Sequence, residues 1–383
     1  MTDNPHSYKW TMYPGKIPLS FGDMDFDPDP RVLDAIQERM KWPLAYPPPH
    51  RSSGVAKRIG DYYLDHYGLH IPSDSLWLGT GCLSQSFHVL RSLAAQGDEV
   101  LYWSPAFKHI RSAIEASGAT PVPLDAGPAI SHTSLEEAIT PRTRAVYLVN
   151  PHNPTGRSYS RPELEAVRDV AERHGLVVVT NELHSRLVLD GQHVPFASLG
   201  GTAAELSITL SGASKSHNLA AVGGSFAFSH SSVLLGKVMA DSAHYCQEAT
   251  GLQQAALSAA YDGDSPWLLD ARDRLRQARD HLISALHTGL PRLKIRVPQA
   301  TYFIWADFSA YLSAGESAHQ VLDEQCGVIA AAGESFGAPP TWARLSYSLT
   351  DDVLARAARL IIAGLTHPSR SPEPTTASHK EDK

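Results

Sequence analysis

The sequence predicts an α/β protein with a mostly parallel sheet wrapped by helices in a large domain, followed by a small α+β domain. Two observations support this class. Short apolar runs rich in β-branched residues alternate with amphipathic helical stretches through the middle of the chain, which is the pattern of a parallel sheet with crossover helices. After about Pro291 the pattern changes to closely spaced strands with only two helices, which is typical of a smaller α+β unit.

Periodicity and turn residues define the elements of the large domain. Gly97, Gly118 and Gly175 punctuate the pattern, because glycine permits tight turns and ends helices. The predicted strands are Glu99–Trp103, Arg144–Val149, Leu176–Thr180, Ser207–Ser211 and Ser225–Ser229. The predicted helices are Ser84–Ala95, Phe107–Ala116, Arg161–His174 and Ser231–Ala243.

The two ends of the chain differ from its middle. In the small domain, LKIRV, TYFIWADF and WARLSYSL are predicted as strands, and Gly315–Gln325 and Asp352–Leu365 as helices. The first 45 residues contain one predicted helix, Arg31–Trp42, and are otherwise extended and proline-rich. We predict an N-terminal segment packing on the small domain (1–45), a large cofactor-binding domain (46–288), a small C-terminal domain (289–366) and a disordered tail (367–383).

Composition excludes several functional classes. Hydrophobic residues make up 43% and charged residues 19% of the chain, and the net charge of −7 offers no basic face for nucleic acid. No stretch approaches the roughly 20 apolar residues of a membrane span. The 19 histidines show no metal-ligand spacing, so we expect no metal site. Cys82, Cys246 and Cys326 are odd in number and far apart, which argues against a disulfide framework and fits a reducing cytoplasm.

A lysine directly after a predicted strand is the first candidate for chemistry. In SGASKSHN, residues 211–218, Lys215 follows small residues that would let a cofactor approach. A lysine amine that its surroundings deprotonate can form a Schiff base with a carbonyl compound. A lone lysine after a strand is usually a solvated surface residue, so other segments must decide between the two interpretations.

Three further segments bring polar groups to the same sheet edge. In NPHNPTGR, residues 150–157, two Asn-Pro steps favour an extended turn that projects Asn153. The strand Leu176–Thr180 leads into Asn181 and His184. A third strand ends in a loop just before a helix, where free N–H groups suit a phosphate, and this loop contains Gly81, Cys82 and Leu83.

With these motifs the chain resembles the fold-type I pyridoxal-phosphate enzymes, within the class I/II aminotransferase-like branch of cystathionine β-lyases or C–S lyases. The resemblance covers about residues 15–365, and the combination of NPHNPTGR with SGASKSHN is highly specific. It implies pyridoxal 5′-phosphate as cofactor, with Lys215 holding it and then shuttling protons. It also implies that Asn153 and His184 lie near the cofactor O3′ atom, and that the loop of Gly81, Cys82 and Leu83 binds the phosphate.

The resemblance extends to residues around the cofactor. Phe107, in SPAF, matches an aromatic residue that stacks on the pyridine. Tyr46 matches a tyrosine that reaches the phosphate of the neighbouring subunit, which implies a homodimer with shared active sites. Arg344 matches the arginine that grips the α-carboxylate of an amino-acid substrate. FGDMDF, residues 21–26, resembles a segment that lines the substrate pocket, with Gly22 and Asp23 as candidates.

The chain departs from the family at Asn181, Gly212 and Lys108, and at Gly223, where ordinary aminotransferases have a phosphate-binding arginine. Asn181 stands where the family has an aspartate against the pyridine nitrogen, and a neutral amide cannot keep that nitrogen cationic. Gly212 stands where many relatives have a phosphate-binding serine, so Ser211 or Ser214 is expected to make that contact. Lys108 replaces a second tyrosine of some C–S lyases and is a candidate catalytic residue.

These features leave three reactions open. The family default is β-elimination from an S-substituted cysteine-like amino acid. The alternative is decarboxylation coupled to oxidative deamination of an S-conjugated cysteine by O₂, as in the lincosamide-type, natural-product branch of the family, and Asn181 favours it. Transamination ranks third. A non-enzymatic role on the same fold ranks last, because Lys215, Asn153 and Arg344 are all present.

Overall fold

A computed structural model describes residues 6–49, 53–242 and 248–366 of the chain. Its strands, in chain order, are β1 (Ile17–Pro18), β2 (Leu76–Gly79), β3 (Glu99–Ser104), β4 (Thr120–Asp125), β5 (Thr143–Val149), β6 (Val177–Asn181), β7 (Ser207–Ser211), β8 (Ser225–Phe228), β9 (Lys294–Ile295), β10 (Phe303–Asp307), β11 (Val328–Ile329), β12 (Ala331–Ala332) and β13 (Trp342–Ser346). The predicted disordered tail, 367–383, and Cys246 lie outside the described residues.

Twelve α-helices are described within those ranges. They are α1 (Tyr8–Met12), α2 (Pro30–Met40), α3 (Val55–Tyr67), α4 (Cys82–Leu93), α5 (Lys108–Ala116), α6 (His132–Glu136), α7 (Arg161–His174), α8 (Ser232–Ser242), α9 (Gly251–Ala260), α10 (Pro266–Gly289), α11 (Ala318–Cys326) and α12 (Asp351–Thr366). None of these helices has the length and apolar character needed to cross a bilayer.

The large sheet has seven strands in the order β2-β8-β7-β6-β5-β3-β4. The pairs from β7 through β4 are parallel, and β8 runs antiparallel to both of its neighbours. The prediction of a mostly parallel sheet wrapped by helices is therefore confirmed. The register aligns Val149, at the end of β5, with Asn181, at the end of β6. The loops that follow these two strands consequently start side by side at one edge of the sheet.

The small sheet is antiparallel, in the order β12-β13-β10-β9, and Arg344 on β13 pairs with Trp305 on β10. The N-terminal segment returns to this part of the molecule, because β1 pairs in parallel with β11, with Ile17 opposite Val328. Both strands contribute to one apolar cluster that also holds residues of α10, α11 and α12. The domain boundaries given above stay a prediction, and the boundary at 288–289 falls at the last residues of α10.

Strands and helices with strong periodicity have the predicted bounds, and others do not. β7 and α7 span the predicted residues. β4 was missed because Pro121 and Pro123 disfavour a strand, and proline is tolerated here since β4 pairs only with β3 at the sheet edge. The helices α3, α9 and α10 were not predicted either. The predicted strand LKIRV shortens to Lys294–Ile295.

Candidate active site

A cavity of about 550 Å³ lies where the carboxyl ends of β5, β6 and β7 meet the small domain. Most of the site residues predicted from the sequence line this cavity. They are Gly22, Cys82, Leu83, Phe107, Lys108, Asn153, Asn181, His184, Lys215 and Arg344. The topology thus brings together segments that are more than 300 residues apart in the chain.

The amine of Lys215 is buried in this cavity. Its Nζ donates a 2.8 Å hydrogen bond to the carbonyl oxygen of Gly22. Burial, reinforced by the positive charge of Arg344, lowers the pKa of the Lys215 amine to about 8. A substantial fraction of the amine is therefore neutral near physiological pH, which is the state that attacks a carbonyl carbon.

Gly22 has no side chain for a steric reason. A Cβ atom at this position would stand 3.2 Å from Lys215 Nζ and 3.2 Å from the ring of Phe303. The hydroxyl of Tyr302 also donates to the Gly22 carbonyl oxygen, at 2.8 Å. Asn218 holds the two segments together, because its side-chain amide bonds both the N–H and the carbonyl of Met24. The N-terminal loop and the lysine loop therefore form one structural unit.

Arg344 is a buried cation whose recorded partners are uncharged. Nη1 donates to Asn153 Oδ1 at 2.9 Å, and Nη2 donates to the carbonyl oxygen of Ser20 at 2.8 Å. The guanidinium carbon lies 3.7 Å from the ring centroid of Phe303, and Nε has no partner among the described residues. Burial lowers the pKa of Arg344 to about 9. A buried guanidinium in this state gains most from an anionic ligand with two oxygens.

His184 is a second polar group in the cavity with an unsatisfied atom. Its side chain is buried, and Nε2 has no hydrogen-bond partner within the described ranges. Burial, together with the charges of Lys215 and Arg344, lowers the pKa of His184 to about 3. The imidazole is therefore neutral and free to bind a ligand atom at Nε2. Such an orphaned atom is typical of a site that expects a ligand.

Asn181 is fixed by two hydrogen bonds at the cavity wall. Its Nδ2 donates to the Tyr147 hydroxyl at 3.1 Å, and its Oδ1 accepts from the N–H of Leu183 at 3.3 Å. The Tyr147 hydroxyl lies 2.8 Å from Ser86 Oγ. Sequence reasoning missed both Tyr147 and Ser86. The available signal was a tyrosine inside the otherwise aliphatic strand RAVYLV.

The start of α4 forms the floor near Asn181. Gly81 is the N-cap residue of this 12-residue helix. Because glycine has no side chain, the first N–H groups of the helix are not capped by a side chain. Burial raises the pKa of the Cys82 thiol to about 12, although Ser86, Asn181 and Lys215 lower it in part. The thiol is therefore neutral. The exposed side chain of Lys108 begins α5 at the cavity wall.

The structure does not bring every predicted residue to the cavity. Ser211 is fully buried and donates to the carbonyl oxygen of Glu182, at 3.2 Å, because its strand position points it into the protein. Asp23 instead forms an ion pair with the buried Lys9. Tyr46 is fully exposed in the single chain. Gly81 and Ser214 are also absent from the cavity lining, so the phosphate roles of these residues stay predictions.

Three aromatic residues of the cavity wall were also missed. Tyr13, Phe303 and Phe336 line the cavity alongside the predicted Phe107 and alongside Phe21, which belongs to the predicted pocket segment FGDMDF. Their side chains come from the N-terminal segment and the small domain, which sequence periodicity treats as ordinary core. No aspartate or glutamate lines the cavity within the described part of the chain. The site therefore combines apolar walls with cations and suits a ligand that carries negative charge.

These residues fit pyridoxal phosphate. The buried amine of Lys215, with its pKa lowered to about 8, suits the aldehyde carbon of the cofactor. The orphaned His184 Nε2 suits a ring substituent, and the uncapped start of α4 suits the phosphate. Arg344 remains for a substrate carboxylate.

Comparisons with known proteins agree with this fit. The family model described as aminotransferase class I and II matches residues 14–361. Cystathionine beta-lyase PatB of Bacillus subtilis strain 168 is 29% identical over 333 residues, which cover 84% of this chain and 85% of the relative. Arginine–pyruvate transaminase AruH of Pseudomonas aeruginosa is 31% identical over 331 residues, which cover 83% and 82%.

A solved structure gives the same result for the fold. The crystal structure of a putative PLP-dependent beta-cystathionase from Corynebacterium diphtheriae superposes with a TM-score of 0.89 at 26% identity, and the match covers 95% of this chain and 96% of that one. The family model spans most of the chain, so the assignment does not depend on any single relative. The chain belongs to the class I and II aminotransferase family and is an enzyme of the fold-type I architecture with pyridoxal phosphate as its cofactor.

Proposed function

We propose that this enzyme acts at the Cα atom of an S-substituted, cysteine-like amino acid and catalyses β-elimination by default. The observation that carries this proposal is that one cavity contains both the buried Lys215 amine and the buried Arg344 guanidinium. The guanidinium has no charged partner among the described residues. An amine for proton transfer and a clamp for an α-carboxylate are the two groups that such chemistry requires from the chain.

Each residue has a separate task in this proposal. Arg344 binds the α-carboxylate through two parallel N–H donors and fixes Cα relative to Lys215. Lys215 Nζ accepts and holds the Cα proton. The cofactor, when bound, withdraws the electrons released at Cα. The apolar walls formed by Phe21, Phe107 and Phe336 exclude water and surround the substituent on sulfur.

The overall elimination balances without an oxidant. The Cβ–S bond breaks and the sulfur leaves as a thiol, while water replaces the amino group, so that the products are a thiol, pyruvate and ammonium. The names of two relatives, cystathionine beta-lyase PatB and the beta-cystathionase of Corynebacterium diphtheriae, support C–S bond cleavage. The transaminase AruH keeps transamination as a lower-ranked candidate.

Asn181 favours a second candidate, decarboxylation coupled to oxidative deamination. A neutral carboxamide leaves the pyridine nitrogen unprotonated, so the cofactor withdraws electrons from Cα less strongly and the electron-rich centre reacts more readily with an oxidant. The Cα–carboxylate bond breaks to release CO₂, and O₂ accepts two electrons to give hydrogen peroxide. Water then replaces the amino group, so that the carbon product is an aldehyde and ammonium is released.

One experiment separates these candidates. The purified holoenzyme is incubated with S-methyl and S-ethyl cysteine while pyruvate, thiol, aldehyde, CO₂ and O₂ consumption are measured together. Elimination yields pyruvate and thiol in equal amounts without O₂ uptake, and the second candidate yields aldehyde and CO₂ with O₂ uptake. Lys215→Ala is the control that should abolish either set of products. If the wild type released neither set and formed only a keto acid with an added amino acceptor, transamination would replace both proposals.

A further inference from the structure

The wall of the cavity contains a chain of hydrogen bonds in which the direction of every bond is determined. The carbonyl oxygen of Cys82 can only accept, so Ser86 Oγ donates to it, at 2.8 Å. The hydroxyl of Ser86 then has only acceptor capacity left, and the Tyr147 hydroxyl, 2.8 Å away, donates to it. The Tyr147 oxygen in turn accepts from Asn181 Nδ2, at 3.1 Å.

The other side of Asn181 fixes the same orientation independently. The N–H of Leu183 can only donate, and it lies 3.3 Å from Oδ1 of Asn181. The carboxamide therefore directs its oxygen to the backbone and one N–H to Tyr147. Its second N–H lies on the side of the cavity and of the neutral Cys82 thiol, which is also a hydrogen-bond partner of the Asn181 side chain.

This chain is buried, so its hydrogen bonds cannot exchange freely with water. Tyr147 is 1% exposed and Ser86 is 1% exposed. Burial raises the pKa of the Tyr147 hydroxyl above its ordinary value, so the phenol keeps its proton and stays a donor to Ser86. A buried donor or acceptor that loses its partner cannot bond to water instead, and this costs free energy. The cost favours the orientation in which the carboxamide oxygen faces the Leu183 N–H.

We propose that Tyr147 and Ser86 are positioning residues that compel Asn181 to present an N–H donor, and not its oxygen, to the pyridine nitrogen of the cofactor. A donor at this point is compatible only with an unprotonated ring nitrogen. Reversing the carboxamide would present an acceptor and stabilise a protonated ring. In this proposal Tyr147 and Ser86, which contact Asn181 and not the cofactor, determine the protonation state of the ring nitrogen. This inference rests on the proposed placement of the ring nitrogen at Asn181.

Two variants test this chain in different ways. Tyr147→Phe removes the acceptor for Asn181 Nδ2 and leaves only the Leu183 contact, so the carboxamide is no longer held in one orientation and becomes able to reverse. Ser86→Ala leaves the Tyr147 proton without an acceptor. Either that proton stays unpaired, or the carboxamide reverses and its oxygen accepts the proton. Both variants should raise the protonated fraction of the ring nitrogen, and the fraction in the wild type should be close to zero.

The measurement is solid-state ¹⁵N NMR of holoenzyme reconstituted with pyridoxal phosphate that carries ¹⁵N in the ring, recorded across pH 6–9. This readout reports the ring nitrogen without turnover. Cofactor affinity is a second readout, and we expect the cofactor Kd of Tyr147→Phe to rise by about 3- to 10-fold, as the loss of one hydrogen bond predicts. The matched control is Tyr102→Phe. Tyr102 pairs with Tyr147 on the neighbouring strand and lies in the same apolar cluster.

A double-mutant cycle with Asn181→Asp separates positioning from general structural damage. If Tyr147 acts through Asn181, its effect on the ring-nitrogen signal should differ or vanish once Asn181→Asp is also present. A ¹⁵N spectrum in Tyr147→Phe and Ser86→Ala identical to that of the wild type would overturn the inference. So would an effect of Tyr147→Phe that keeps its full size in the Asn181→Asp background.

The same data distinguish failure of this inference from failure of the proposed function. If Asn181→Asp shifts the ¹⁵N signal but Tyr147→Phe and Ser86→Ala do not, Asn181 contacts the ring and only the positioning role is lost. If Asn181→Asp itself leaves the signal unchanged, the ring nitrogen does not lie at Asn181, so this inference and the oxidative candidate both fail, whereas β-elimination is decided by its own products. Should Tyr147→Phe not fold, Ser86→Ala carries the test alone.

Discussion

Arg344 and Asn153 are joined by a 2.9 Å hydrogen bond from Nη1 to Oδ1 across the boundary between the small sheet and the loop after β5. Arg344 Nε has no hydrogen-bond partner among the described residues. The guanidinium is thus held in place before any ligand arrives, which lowers the entropic cost of binding a carboxylate.

Arg344→Lys should therefore be a damaging substitution despite its retained charge. An ammonium cannot supply two parallel donors to a carboxylate, nor lie flat on Phe303 as the guanidinium does. We expect kcat/KM for an S-alkyl cysteine to fall by at least about 30-fold, corresponding to about 2 kcal/mol or more, mainly through KM. Arg292→Lys, on the surface near Tyr311, is a matched control. Wild-type kinetics in Arg344→Lys would assign the carboxylate to another residue.

The pKa of about 8 at Lys215 predicts how the apo-enzyme captures its cofactor. Only the neutral amine reacts with the aldehyde, so the second-order rate of capture should rise about tenfold per pH unit below pH 8 and level off above it. The sign follows from burial, which penalises the ammonium and so lowers the pKa. Stopped-flow absorbance of the apo-enzyme mixed with pyridoxal phosphate measures this rate. A free alkylamine, whose rate rises up to about pH 10, is the reference. A profile that follows the free amine would contradict the effect of burial.

Asn181→Asp should change the reaction partition. A carboxylate beside the ring nitrogen raises the pKa of that nitrogen, so the cofactor should withdraw electrons from Cα more strongly. Each unit of pKa is worth about 1.4 kcal/mol, and we expect a shift of several units for a change from amide to carboxylate. The ratio of pyruvate to aldehyde from S-ethyl cysteine should rise, and the absorption spectrum recorded with substrate should change. Gln37→Glu, on an exposed position of α2 and outside the cavity lining, is a control for added charge.

The outcome for Asn181→Asp also decides between the two proposed reactions. Identical spectra and product ratios in wild type and variant would mean that residue 181 does not set the reaction. Under that result β-elimination would stand without its oxidative alternative.

Motifs predicted much of the site because they keep their chemistry within a few residues. Lys215, Asn153 and Arg344 each sit in a short segment next to a strand end, and the parallel sheet brings such ends together. Both bounds of β7, Ser207 and Ser211, were likewise predicted, because a run of alternating apolar and small residues spans this strand.

The remainder depends on contacts that no local pattern contains. Tyr147 and Ser86 are 61 residues apart, and their hydrogen bond exists only after β5 and α4 have packed. The Gly22 carbonyl that holds Lys215 is 193 residues away from it in the chain. Ser211 shows where a motif is not enough: its motif position suggests phosphate binding, while in the single chain its hydroxyl donates to the carbonyl oxygen of Glu182, and the phosphate role stays a prediction. Side-chain direction at a strand end is decided by tertiary packing and not by the motif.

Tyr46 leads to the last prediction, which concerns assembly. Its ring is fully exposed in the single chain and lies by a surface cleft near Thr250 and Leu252, away from the cavity of Lys215. The resemblance implies that this ring serves the neighbouring subunit, so a two-fold dimer with two shared sites is expected.

Tyr46→Ala and Lys215→Ala should then each be inactive or weak as pure proteins, but they should complement each other. In a mixed dimer one site takes Lys215 from the first subunit and Tyr46 from the second, and is intact. Random exchange of equal amounts should restore about a quarter of the wild-type activity, because half of the dimers are mixed and each has one intact site. The mixture is assayed after subunit exchange, and sedimentation velocity is used to verify the dimer. Mixing either variant with itself is the control. If the mixture showed only the average of the two variants, Tyr46 would act within its own chain or outside the site altogether.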